Sequence, residues 1–342
     1  LYSYRLEGFS DTWIGVGAER RFATFTGLDP GEYVFRVRAA NSDGIWNEEG
    51  ASLRSTGTPP IWATWWFRLA LLVAGLAVAA VAIRGRMRSV SMKAELQAAH
   101  DAQMGIMPQT DPEAEGFDIS GVCIPAHEVG GDFYDYFWLD AERTELCIAV
   151  GDVAGTAMKA AMTAVMSDGM LVARAGQADS IEAILTSLNR SLHRKVRDRI
   201  FTALCLLKLD TRSAELTFAN AGLCEPLLRS RESAAYLESS GPRTPLGTFP
   251  TTEYQSRTLT LRPGDVLLLF SDGIPEAANP AGEQYGYGAP RELLAGLDCA
   301  EMSSAEIGEA LIADVRRFSG GSGLNDDIVL VVVKARATPL GP

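Results

Sequence analysis

Four aspartates stand beside glycine or at the end of an apolar run. They are Asp132 in Val129-Gly130-Gly131-Asp132-Phe133-Tyr134-Asp135, Asp152 in Ala149-Val150-Gly151-Asp152-Val153, Asp272 in Phe270-Ser271-Asp272-Gly273, and Asp326 in Asn325-Asp326-Asp327-Ile328. A carboxylate at the edge of a buried strand is desolvated and costly unless a positive group meets it, and glycine lets the backbone come close to that partner. A bound cation satisfies both conditions. Hard oxygen donors select Mg2+ or Mn2+, and two such ions bridged by shared carboxylates can activate a water and clamp a phosphoryl group. Taken singly, each aspartate reads more readily as a turn or cap residue. It is their occurrence as an ordered set that carries the metal reading.

The elements that must position these acids alternate between strand-like and helix-like runs from residue 108 onward. Apolar strand candidates are Ile119–Ile124, Phe133–Leu139, Leu146–Val153, Phe201–Leu209, Glu215–Ala219, Val266–Phe270 and Ile328–Val333. Helical periodicity falls on Ala157–Ala173, Ile181–Val196, Pro290–Leu297 and Ser304–Phe318. Strands come in adjacent runs and helices in pairs, which predicts α+β layering in a single domain. Asp168, in a second Ser-Asp-Gly, falls inside a helical run and reads as a helix residue, not a ligand; Asp135 and Asp327 read as supporting or surface acids.

Other chemistry is thin. His100, His127 and His193 are the only histidines and lack zinc-ligand spacing. No nucleotide-binding glycine motif is present, which argues against a kinase even with His100 on a helix. Five cysteines (Cys123, Cys147, Cys205, Cys224, Cys299) are scattered without a CxxC, as expected of buried thiols in a reducing compartment. The basic run Arg190–Arg199 reads as a solvated helix face, with an acidic docking partner as the alternative.

The 342 residues suffice for about two domains. The mean hydropathy of +0.04 and net charge of −12 describe an acidic soluble protein, but the average hides a partition. Residues 1–65 carry −2, residues 66–95 carry +4 and residues 96–342 carry −14. An acidic body argues against nucleic-acid binding. Ile61 to Ile83 is apolar apart from Arg68 and would span about 35 Å as a helix, enough to cross a bilayer. Trp62, Trp65 and Trp66 mark one end; Arg84, Arg86, Arg88 and Lys93 follow the other. That asymmetry predicts a single-pass plasma-membrane helix over 61–83, with residues 1–60 outside and 84–342 cytoplasmic. Residues 84–107 then form a helical linker, read either as a plain exposed segment or as a two-stranded coil joining a homodimer.

Residues 1–58 alternate like half-buried strands, at Tyr2, Tyr4 and Leu6, at Phe22 with Phe25, and at Tyr33, Phe35 and Val37, with turns at Asp29-Pro30-Gly31 and Asn41-Ser42-Asp43-Gly44. The run Tyr-x-Tyr-x-Leu-x-Gly-Phe with Trp13, and the stretch Leu28 to Trp46, resemble the triple-tyrosine domain of bacterial membrane sensors. This implies a small all-β immunoglobulin-like sandwich whose aromatics are core, as the C-terminal end of a larger sensor. The chain begins at Leu1 within strand-like sequence, which suggests a fragment of a longer protein.

Residues 103–334 resemble the PPM (type 2C) metal-dependent protein phosphatases, in the bacterial branch typified by sporulation stage II E and the activators of stress sigma factors. The stretches that carry the likeness are Gln103-x-x-x-x-Pro108, Ile124 to Asp135, Gly151-Asp152-Val153-Ala154-Gly155, Phe218-Ala219-Asn220-Ala221-Gly222, Pro245-Leu246-Gly247, Leu268 to Ala277 and Asn325 to Val331. The resemblance implies two antiparallel sheets flanked by helices over residues 108–336. It also implies two Mn2+ or Mg2+ ions held by Asp132, Asp152, the Val153 carbonyl, Asp272 and Asp326, with a metal-activated water hydrolysing phosphoserine or phosphothreonine. By the same resemblance the substrate is a phosphorylated anti-anti-sigma factor. Two departures bear on this: the loop Gly155-Thr156-Ala157-Met158-Lys159 lacks the family's usual Gly-Lys-Gly or Gly-His-Gly, and Leu223 replaces the His that commonly follows Asn-Ala-Gly. A phosphatase fold that has lost turnover and only binds a partner is therefore the alternative.

Overall fold

The computed structural model describes all residues except 127–128, 156–157, 177–179, 196–199, 232, 322–324 and 337–342; for 91–96, 99 and 102 it describes the helical backbone alone. The chain divides into two compact units, Leu1–Val90 and Ser91–Pro342.

In the first unit, β1 (Tyr2–Glu7), β2 (Ser10–Val16), β3 (Gly31–Ala39) and β4 (Ala51–Gly57) form one antiparallel sheet in the order β2-β1-β3-β4. Alternation turns Tyr4, Leu6 and Tyr33 inward. Phe25 lies edge-on to Tyr4, with ring centroids 6.1 Å apart, and to Phe35 at 6.2 Å. On Trp13 the guanidinium groups of Arg5 and Arg38 stack at 4.8 and 4.2 Å. The expected strand at Phe22 and Phe25 does not form. The segment is too short between Arg20-Arg21 and the Asp29-Pro30 turn, so Phe25 packs from a loop while Phe22 is left exposed. No second sheet is present among the described residues of this unit.

A 3-10 turn over Ile61–Ala63 precedes α1, which runs unbroken over Trp65–Met104. Its stretch Trp65–Val90 has a mean hydropathy of 2.2 and no buried residue. By length and composition it can cross a membrane.

The second unit is layered. One sheet has the order β11-β10-β13-β14-β5, the other β12-β9-β8-β7-β6, and all pairings are antiparallel. Their strands are β5 (Phe117–Ile124), β6 (Phe133–Trp138), β7 (Glu145–Val153), β8 (Thr202–Asp210), β9 (Glu215–Ala221), β10 (Leu227–Ser230), β11 (Ser233–Tyr236), β12 (Ser256–Thr260), β13 (Val266–Phe270) and β14 (Ile328–Ala335). In β13 the period of two sends Leu267 and Leu269 into the core between the sheets, and Leu268 and Phe270 toward the second core under α4 (Gly288–Gly296) and α5 (Ser304–Phe318). The helices α2 (Met158–Ala175) and α3 (Ile181–Lys195) cover the other sheet through Ala164, Leu171, Ile184 and Leu188. The expected α+β sandwich is thus present. β10, β11 and β12 were not anticipated, because they are four or five residues long, partly polar and near sheet edges, where alternation gives little signal.

Candidate active site

Antiparallel pairing brings several strand ends to one edge of the sandwich. β7 finishes at Val153 opposite Thr202, and β9 finishes at Ala221 opposite Leu204. β13 finishes at Phe270 opposite Leu330, while β5 finishes at Ile124 opposite Ile328. Asp132 immediately precedes β6, whose first residue Phe133 pairs with Gly151, so Asp132 and Asp152 continue adjacent rungs. Asp272 and Asp326 flank the paired ends of β13 and β14. All four sequence-predicted acids therefore gather at this edge, and the Val153 backbone lies there with them.

Glycine makes the crowding possible. A Cβ at Gly131 would meet the Val153 carbonyl at 2.6 Å, one at Gly130 would meet Asp327 Oδ2 at 2.0 Å, and one at Gly273 would meet the Asp327 carbonyl at 1.9 Å. Asp327 is buried, and its carboxylate accepts the Ala126 N–H at Oδ1 (2.8 Å) and the Gly131 N–H at Oδ2 (2.9 Å). It is a supporting acid, as one of the two sequence expectations held, and not a surface one. From the end of α1, buried Gln103 donates to the Gly130 carbonyl at 2.9 Å and accepts its N–H at 3.4 Å. The loop carrying Asp132 is thus held from two sides.

The site is electrostatically strained. Asp132 is 3% exposed, and burial, with the charge of Asp152 next, pushes its carboxyl well above the usual carboxylate range. Burial also raises Asp152, a nearby Asp132 offsets part of this, and Asp326, Asp327 and Glu276 add to it. Asp272 is pushed up to about 7 by burial, then by Asp152, Asp326 and Glu276. Asp132 Oδ2 is buried without a hydrogen-bond partner. Mutually repelling oxygens with an unused acceptor are the donor set a hard divalent cation satisfies, so the residues fit the implied metal. Among the described residues no three His, Cys, Asp or Glu side chains form a ready-made cage. The acids converge by charge, with Asp326 still exposed.

The crossing from β9 to β10 passes over the same edge. Buried Asn220 fixes it, accepting the Leu223 N–H at 2.8 Å and donating to the Leu223 carbonyl at 3.1 Å. Arg243 also donates to that carbonyl, at 2.6 Å, and pairs with Glu225 at 3.3 Å. Leu223, at the position of the missing histidine, is buried in the main core. Cys224 Sγ lies 3.5 Å from the Tyr287 hydroxyl. Burial pushes its thiol up to about 12, and the charges of Asp272 and Asp152 contribute.

Several residues lie apart from this group or beyond description. Asp168 is buried on α2 and its carboxyl is raised to about 7 by burial and by Asp135, its partner across the α2–β6 contact. Cys147, Cys205 and Cys299 are buried free thiols. Thr156 and Ala157 of the departing loop, His127 and Arg197 to Arg199 fall outside the described residues. Sequence reasoning missed Gln103 as a clamp, and it missed the charge that Glu276 adds beside Asp152 and Asp272. Glu276 stands in the stretch Leu268 to Ala277 that carries the family resemblance, but its spacing assigns it no role.

Comparison with known proteins places these features. A family model described as Stage II sporulation protein E (SpoIIE) matches residues 142–336, a stretch that includes Asp152, Asp272 and Asp326 but starts after Asp132. A Y_Y_Y domain model matches residues 1–55. Among curated proteins, phosphoserine phosphatase RsbU of Bacillus subtilis is 24% identical over 191 residues, 56% of this chain and 56% of RsbU. The chain thus spans little more than half the length of that relative. The solved RsbU and RsbW domains of a Mycobacterium tuberculosis protein superpose with a TM-score of 0.58 and 28% identity, over 67% of this chain and 64% of that one. The SiaA-PP2C domain of Pseudomonas aeruginosa superposes with a TM-score of 0.61 and 24% identity, over 72% of this chain and 97% of that one.

Proposed function

The chain belongs to the Stage II sporulation protein E (SpoIIE) family, and from that premise we propose that it is a membrane-anchored, metal-dependent protein serine/threonine phosphatase. The observation that carries this reading is the meeting of buried Asp132 and half-buried Asp152 at an edge they share with Asp272 and Asp326, where burial and then neighbouring charge raise the carboxyls of Asp132, Asp152 and Asp272.

Asp132, Asp152, Asp272, Asp326 and the Val153 carbonyl would hold two Mn2+ or Mg2+ ions, which when bound supply a water acidic enough to act at neutral pH and charge to offset the phosphoryl oxygens. Asp327 and Gln103 keep the Gly130-Gly131 backbone in register, so that Asp132 enters the site at a fixed height. Asn220 and Arg243 hold the β9–β10 crossing as one wall. The substrate class is a phosphoserine on a regulatory protein. RsbU is a phosphoserine phosphatase, and the likeness to it supports an anti-anti-sigma factor as substrate.

The proposed arrangement along the chain is an extracytoplasmic triple-tyrosine domain over 1–58, a span within 61–83 continuing as a helical linker to 107, and a cytoplasmic phosphatase domain over 108–336. Arg84, Arg86 and Arg88 at one end of the span support that orientation, and pairing of linkers would make a homodimer. The reading is tested with the full chain in detergent micelles supplied with Mn2+. Hydrolysis of p-nitrophenyl phosphate and of a phosphoserine protein is expected; retention of that activity in Asp152→Asn would refute the site.

A further inference from the structure

Tyr287, the residue before α4, combines rigidity with exposure. Its carbonyl accepts the Tyr236 hydroxyl at 2.7 Å, and the two rings meet edge-to-face with centroids 5.8 Å apart. Tyr236 in turn lies edge-on to Phe270, which ends β13 two residues before Asp272. The Tyr287 hydroxyl sits 3.5 Å from Cys224 Sγ in the β9–β10 crossing. Two side-chain contacts and one backbone hydrogen bond thus fix the residue against the wall of the acid edge, yet 51% of it remains open to solvent.

A large aromatic ring left half exposed forgoes the stabilisation that full burial would give, and a ring already fixed loses little entropy when something packs on it. Aromatics of this kind form the anchors of polypeptide recognition. The acid edge itself offers little grip on a peptide: its charged oxygens would be taken up by the metal ions that meet the phosphoryl group, and the residues beside a phosphoserine need an apolar surface of their own. Resting on the phosphatase reading, we propose that Tyr287 is a specificity-determining contact, whose ring receives an apolar side chain flanking the phosphoserine of a polypeptide substrate and takes no part in hydrolysis.

The test uses the full chain in detergent micelles with Mn2+ and two synthetic phosphoserine peptides. One is flanked by glycine and alanine, and the other carries leucine two and three positions to either side. The native chain is expected to favour the leucine peptide by about tenfold in kcat/KM, mainly through KM, the scale of one apolar pocket contact. In Tyr287→Ala that preference should vanish while turnover of the glycine-alanine peptide stays within about twofold; Tyr287→Phe, which keeps the ring, should retain it. Survival of the preference in Tyr287→Ala, its absence in the native chain, or an equal loss on both peptides would overturn the proposal. Failure of the native chain to hydrolyse either peptide would instead overturn the phosphatase reading beneath it.

Discussion

Asp327 Oδ2 accepts the Gly131 N–H at 2.9 Å across 196 residues of chain, while Oδ1 of the same carboxylate accepts the Ala126 N–H at 2.8 Å. One buried acid therefore ties the start of β14, just after Asp326, to the loop that ends at Asp132. Asp327→Asn keeps the shape but offers one acceptor oxygen where two are used, so a buried N–H loses its partner at a cost of about 1–3 kcal/mol. The expected result is a Tm lower by several degrees, at about 2–4 °C per kcal/mol for a domain of this size. Mn2+ affinity measured by calorimetry should fall with it, since Asp132 loses its support. An unchanged Tm would show that the carboxylate is not needed for the loop.

Much of this site was legible in sequence because its acids lie next to strong strand signals. Asp152 ends the apolar run of β7, and Asp272 follows the five buried residues of β13. The adjacent Asp326 and Asp327 were already divided into a ligand and a supporting or surface acid, but that Asp327 supports depends on contacts with Ala126 and Gly131 formed only by the fold. Asp168 was correctly placed in a helix, but its burial against Asp135 needed the α2–β6 packing. Phe22 and Phe25 were misread as a strand because two nearby aromatics suggest one, although their spacing of three breaks the period of two and a strand needs a partner edge to pair with.

Glycine substitutions separate crowding from simple helix propensity. At Gly273 a Cβ would lie 1.9 Å from the Asp327 carbonyl, a backbone atom that cannot rotate away, whereas at Gly169, exposed in α2, nothing lies within 4 Å. Gly273→Ala is expected to destabilise by about 1–3 kcal/mol or to prevent folding. Gly169→Ala should stabilise by about 0.5–1 kcal/mol through helix propensity. Thermal unfolding of the two variants side by side checks both signs, and a stabilised Gly273→Ala would contradict the geometry.

Removing a proposed metal-ligand carboxylate should affect activity and metal-free stability in opposite directions. Asp152 is held above its ordinary range chiefly by burial, so its ionised form destabilises the metal-free fold near neutral pH. Asp152→Asn is therefore expected to raise the Tm in EDTA, to abolish the rise that Mn2+ gives the native chain, and to lower turnover. Outer partners of metal ligands cost about 10–100-fold, so loss of a ligand itself should cost about 100-fold or more. A variant less stable in EDTA than the native chain would assign Asp152 a structural role.

The proposed orientation in a membrane is tested at two exposed positions, Ser42 in the first unit and Arg212 in the second. Four of the five native cysteines are buried, which leaves little background. A membrane-impermeant maleimide added to intact cells is expected to label Ser42→Cys and to label Arg212→Cys only after lysis. The reverse pattern would invert the proposed topology, and labelling of both in intact cells would remove the membrane span.

The Asp168–Asp135 pair gives the fold a pH dependence separate from the metal site. Asp168 holds its proton up to about pH 7, mainly because it is buried and next because Asp135 is close, and its Oδ1 has no hydrogen-bond partner. In the unfolded chain the same group ionises near pH 4. The native state therefore binds the extra proton between these values, and stability falls as pH rises from about 4 to about 7 and levels off above. Other raised acids share this slope, so the informative quantity is the difference between variant and native chain. Asp168→Asn stays neutral at every pH and can donate to Asp135. Its Tm is expected to match the native chain at about pH 4, at the foot of this window, and to exceed it by several degrees at pH 8, both in EDTA. A difference that is the same at the two pH values would show that Asp168 does not carry the proton.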